Sequence, residues 1–149
     1  MMIASVLMVA EADADDAPAR AVARALGASG IVVTSRQVVD ESEAALISAL
    51  RGALEREGLV VVLAQPGGSS GELVPRAVSR LTGRRLVLHE RRLRQLEAAF
   101  NRRGQALPHR LERLALLPQG AEQPAGGAAT HRPNPTARQL SHARRSNPP

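Results

Sequence analysis

The segment with the clearest chemical potential is Gln65-Pro-Gly-Gly-Ser-Ser-Gly-Glu72, which follows the apolar run Leu59–Leu63 and precedes a helical pattern. A glycine-rich loop between strand and helix lets backbone N–H groups approach an anion, and the helix start adds partial positive charge. Glycines at 67, 68 and 71 are a weak sign alone, since most such loops are turns. The strand before and the helix after supply the context that phosphate binding requires. Asp40 and Glu43 stand in capping-box spacing ahead of Ala44, Ala45 and Ile47, which makes Asp40 the expected helix N-cap. Glu72 falls in a helix's first turn, where a carboxylate is favourably placed. His89 has no partner at metal-ligand spacing and reads as a polar residue at a strand end. The sequence contains no His-Glu-x-x-His, nucleophile elbow or Walker motif, and no cysteine for a disulfide or thiolate site.

The elements that must hold this loop alternate along the chain. Residues 2–9 read as a strand, and Asp16-Ala-Pro opens a helix that stops near Gly27. Ile31–Thr34 is a β-branched strand, followed by the helix after Asp40 with its apolar face of Leu50 and Leu54, ending near Gly58. Leu59–Leu63 is apolar throughout, as in a strand covered on both faces. A helix over 73–81 carries Pro75 in its first turn. Beyond it lie the short run Leu86–Leu88, a helix over 90–103 with Leu93, Leu96 and Phe100 on one face, and the run Leu114–Leu117. Strand and helix at βαβ spacing with unbroken apolar strands indicate a parallel sheet with helices on both faces.

Composition narrows the function class. With 44% hydrophobic residues and one aromatic, Phe100, the core must be aliphatic. The opening apolar stretch lacks a basic flank and a cleavage site, and it is shorter than the ~20 residues a membrane span needs. It reads as a buried strand of a cytoplasmic protein. Residues 1–75 hold ten acidic against five basic side chains, and residues 76–149 four against fifteen, every basic residue being Arg. Arg84, Arg85, Arg91, Arg92 and Arg94, extended by Arg102, Arg103, Arg110 and Arg113, read as a solvated face. A nucleic-acid site would want aromatic side chains for stacking, and these are missing. From about Glu122 the chain turns to Pro, Gly, Ala, Arg and His. Such a segment cannot offset its ordering entropy, so one domain over 1–121 and a disordered tail over 122–149 are expected.

Several stretches carry a resemblance. They are Gly83-Arg-Arg-Leu-Val-Leu-His89, Leu96-Glu-Ala-Ala-Phe-Asn-Arg-Arg-Gly104, Leu107-Pro108 and Ala115-Leu-Leu-Pro-Gln-Gly-Ala121. Residues 31–121 resemble the N-terminal domain of CinA proteins, relatives of the molybdopterin-binding MoaB and MogA proteins. The resemblance implies a three-layer α/β sandwich with a mostly parallel sheet. Its register sets Gly67 on a family glycine, Ser69 on a threonine and Glu72 on an aspartate. It thereby implies a ligand loop of Gly67, Gly68, Ser69 and Ser70, with Asp40 and Glu72 as catalytic residues and Glu72 as a ligand for Mg²⁺. Further implications are a phosphorylated partner, ADP-ribose-like or pterin (molybdopterin in the family), Mg²⁺-dependent pyrophosphatase chemistry, and a homo-oligomer. The chain departs from the family at its ligand loop, where the family's glycine pair is Ala64-Gln65. Polar family positions are Leu111 and Leu114 here. A non-catalytic binding or assembly module is therefore the alternative reading.

Overall fold

Seven consecutive uncharged residues, Ile3–Val9, form the strand β1 around which the chain is arranged. The structure is a computed structural model describing residues 1–56, 58–65 and 69–122. β1 is central in a parallel three-stranded sheet of order β2-β1-β3, with β2 spanning Val32–Val39 and β3 Leu59–Leu63. Ser5 at its centre is fully buried, and its hydroxyl lies 3.2 Å from that of Ser35, so the polar atom is satisfied within the sheet.

Alternate residues of β1 face opposite layers. Val6 and Met8 pack beneath helix α1 (Ala17–Ala28) through Ala19, Val22 and Leu26. Leu7 and Val9 pack beneath α2 (Glu43–Arg56) and α3 (Ser69–Thr82) through Leu46, Leu50, Leu73 and Ala77. The result is the expected three-layer α/β arrangement. Crossovers leading from β1 outward to β2 and from β2 back past β1 to β3 run in opposite directions. One handedness therefore puts α1 and α2 on opposite faces.

Beyond α3 the chain forms a smaller unit. Strands β4 (Leu86–Leu88) and β5 (Leu116–Pro118) pair antiparallel. Between them lie α4 (Glu90–Asn101) and a 3-10 helix (His109–Ala115), which pack against each other. His89 is more than a strand-end residue: its Nδ1 accepts a bond from the Arg92 amide at 3.2 Å and caps α4. Arg84 fastens the hairpin by donating from Nη1 to the Gln119 carbonyl at 2.9 Å. The guanidinium lies over Gly120, whose φ of +88° suits glycine and whose missing Cβ leaves room for it.

Two boundaries and one cap differ from the sequence reading. β2 runs to Val39 rather than stopping at Thr34, because pairing with β1 carries it through the polar residues Ser35–Gln37. At α1 the Ala17 amide bonds to the Asp15 carboxylate at 3.1 Å, while Asp16 pairs instead with Arg20 one turn on. α3 starts at Ser69, which moves Pro75 out of the first turn into the helix, at the cost of one backbone bond. Of the tail expected over 122–149, all but Glu122 lies outside the described residues.

Leu46 has no exposed surface and belongs to the cluster beneath α2 and α3. Leu46→Ala is expected to lower the unfolding free energy by ~2–5 kcal/mol. Leu88→Ala, at a residue 51% exposed, is expected to cost about 1 kcal/mol or less. Chemical denaturation followed by circular dichroism measures both; equal losses would contradict the difference in burial.

Candidate functional site

Parallel strands bring their C-terminal ends to one edge, so the residues after β1, β2 and β3 must gather there. Val9 stands opposite Val39, and Met8 opposite Leu63, which puts Ala10, Asp40 and Ala64 along the same edge. The chain leaves β1 toward β2 on one side and returns to β3 on the other. The gap between β1 and β3 is thus the place where strand order reverses, the usual location of a ligand crevice in open α/β sheets. α3 begins after the short connection from β3, so its first turn lies at this gap.

Glu72 sits in that first turn and is partly buried. Asp40 is exposed at the end of β2. Asp40 follows β2 and Glu72 lies in the helix after β3, so the elements carrying the two carboxylates follow strands on opposite flanks of β1. Gly67, Gly68 and the side chains of Ser69 and Ser70 lie outside the described residues. Among the described residues no group of three or more His, Asp or Glu side chains is arranged to hold a metal ion.

Asp40 is not the helix cap. Ser42 caps α2: its hydroxyl accepts from the Ala45 amide at 3.2 Å and its carbonyl from the Leu46 amide at 3.1 Å. The Asp40 carbonyl accepts from the Ser42 amide at 2.7 Å in a tight turn, two residues too early to reach the helix start. Glu43, read as the other half of a capping box, instead turns toward α3, and its Oε1 lies 2.6 Å from Arg80 Nε. That ion pair joins the first turn of α2 to the last turn of α3. Two helices descending one face side by side would hold these turns at opposite ends of the layer, so α3 crosses α2 obliquely. The missed cap had a signal in the sequence, since Ser42 directly precedes Glu43. Freed from capping, Asp40 is exposed just past the C-terminal end of β2.

Ala64 explains one departure in the ligand loop. Its methyl packs against the cluster of Leu7, Val9 and Leu73, where a glycine would contribute nothing. Gln65, beside it, is exposed. Leu111 and Leu114 are partly buried in the 3-10 helix that lies against α4, so these two positions serve packing. No helix among the described residues is long and apolar enough to cross a membrane.

Comparison with known proteins agrees with this arrangement. The family model described as "probable molybdopterin binding domain" matches residues 5–139. A CinA-like protein of Anaeromyxobacter sp. (strain Fw109-5) is 37% identical over 93 residues, 62% of this chain and 23% of the relative. A CinA-like protein of Geobacter sulfurreducens is 35% identical over 106 residues, 71% of this chain and 26% of the relative. A protein of Symbiobacterium thermophilum, a putative competence-damage inducible protein, is 32% identical over 103 residues. The chain thus spans about a quarter of the length of the curated relatives it matches. Among solved structures, the CinA protein of unknown function from Thermoplasma acidophilum superposes with a TM-score of 0.68 at 24% identity. That match covers 86% of this chain and 79% of that one, and shows the shared fold.

The capping assignment makes a direct prediction. Ser42→Ala is expected to cost ~1 kcal/mol of stability, and Asp40→Ala within about 0.5 kcal/mol, as for a surface residue. The reverse order in urea denaturation would return the cap to Asp40.

Proposed function

Because the chain belongs to the probable molybdopterin-binding domain family, we propose that it is a binding module for a phosphorylated pterin or nucleotide-like ligand at the crevice between β1 and β3. The observation carrying this reading is the reversal of strand order beside the first turn of α3, a position where backbone amides can meet a phosphate. Gly67, Gly68, Ser69 and Ser70 are the proposed phosphate loop. Glu72 is the residue proposed to hold Mg²⁺ together with the ligand's phosphates, since Mg²⁺ commonly takes one or two carboxylates and completes its shell with phosphate and water. Asp40, across β1 and solvent-facing, is proposed to approach the ligand from the other flank. A bound Mg²⁺ would supply charge neutralisation for pyrophosphate cleavage of an ADP-ribose-like substrate.

A second reading, binding without catalysis, is favoured by Ala64. This residue is committed to the core where the resembled family has the first of its paired glycines. The double variant Ala64→Gly/Gln65→Gly separates the two. A large gain in ligand affinity would mark a decayed site, and unchanged affinity a site put to another use.

The primary test is thermal unfolding by circular dichroism with ADP-ribose and Mg²⁺. Ligand at 100 times its dissociation constant should add ~2.7 kcal/mol to stability and raise the midpoint visibly. Glu72→Ala should abolish both this shift and any turnover while leaving the unliganded melt intact. An unmoved melt for the native chain would dispose of this ligand, and unchanged turnover in Glu72→Ala would remove Glu72 from the reaction.

A further inference from the structure

The other end of the sheet's width holds a second concavity. β2 has β1 on one side and no strand on the other among the described residues. α1 lies over β1 and β2, packing on Val6, Met8, Val33 and Val38, and turns Arg20, Ala23, Arg24 and Gly27 toward the start of β2. An open groove of about 610 Å³ runs between them. Its helical wall is low because Ala23 and Gly27, one turn apart, face the strand. Thr34 lies in its floor, and Arg20, Arg24 and Arg36 stand around it.

These arginines are not equivalent. Arg20 is held by Asp15 and Asp16. Arg24 and Arg36 are exposed, and neither has an ion-pair or hydrogen-bond partner among the described residues. The strand beneath them offers its backbone as well. The Val39 carbonyl accepts from the Ala10 amide, so Val39 faces β1, and alternation turns the backbone groups of Val38 and Arg36 outward. A bulge, with register shifting between Ala4 and Ser5, leaves Thr34 as the extra residue on β2. It restores the parity that aims both Val33 and Val38 at α1. Two unmatched cations thus stand above an unpaired strand edge.

We propose that this edge docks an extended acidic segment of another protein. Its backbone would continue the sheet along β2, and its carboxylates would meet Arg24 and Arg36. Main-chain pairing at an exposed edge supplies affinity in such contacts, and side chains on alternate positions supply selectivity. Charge decides the occupant against a second copy of this chain. A two-fold pairing of β2 with β2 keeps both α1 layers on the same side, so Arg24 and Arg36 of both copies would converge and repel.

The test uses the full chain and a fluorescein-labelled Val-Glu-Val-Glu-Val-Glu peptide, whose carboxylates share one face when extended. Fluorescence anisotropy at low salt should show saturable binding. R24E/R36E should weaken it at least tenfold, R24Q/R36Q should weaken it less, and R91E/R102E, on α4 and at its C-cap, should leave it unchanged. Methylating alternate backbone nitrogens of the peptide should weaken it comparably, since the ladder loses its donors. The proposal is overturned by no binding at millimolar peptide, by equal binding of the methylated peptide, or by equal loss in R91E/R102E. Sedimentation showing a dimer that R24E/R36E strengthens would give the edge to a second copy and overturn it too. Both arginines are exposed, so an unchanged melt of each variant confirms that folding is not what the assay reads.

Discussion

Every layer of this protein is fixed by the burial of one strand on both faces and both edges. Ala4–Val9 are all buried, and the side chains of Val6–Val9 alternate between two separate aliphatic clusters. β2 and β3 take up the backbone groups on either side, and the helices divide the two faces. Without aromatic bulk, the core relies on close packing of Leu, Val, Ile and Ala, so many small contacts must be satisfied together. The position of the candidate crevice follows from the same strand, because it lies where the connections on the two sides of β1 diverge.

The sequence revealed the elements best where packing alone decides them. β1 and β3 are largely apolar runs, the first legible as a buried strand and the second as a strand covered on both faces. β2 was half legible. Its first residues are β-branched, but Ser35, Arg36 and Gln37 carry no apolar signal, and only pairing with β1 holds them extended. The start of α3 was hidden for a related reason. Ser69-Ser-Gly71 has poor intrinsic helix preference, so its helical state depends on the packing of Leu73 and Ala77 further along the helix.

The candidate site was legible by analogy more than by local chemistry. Glu72 could be put in a first turn from the sequence, and it is there. Asp40 looked like a cap because its spacing to Glu43 matched, yet Ser42 stood closer to the helix and took the role. Glu43 was drawn off by Arg80, thirty-seven residues further on, an encounter that no local pattern encodes. Arg24 and Arg36 gave no warning either. In the sequence they are two arginines among twenty, and only the strand order shows that they flank an open edge.

The burial of β1 has a consequence for how the chain is made. β1 leaves the ribosome before either of its partner strands, and β3 follows it by about fifty residues. At a synthesis rate of ~5–20 residues per second, the strand waits several seconds without the neighbours that cover it. Ile3–Val9 contains no charge and no proline, so during that interval nothing in the strand itself discourages pairing with another apolar segment. The acidic stretch Glu11–Asp16 directly follows it. Four carboxylates there give the nascent strand a like-charged neighbour that repels identical chains, before two of them, Asp15 and Asp16, are taken up by Arg20 in the folded protein.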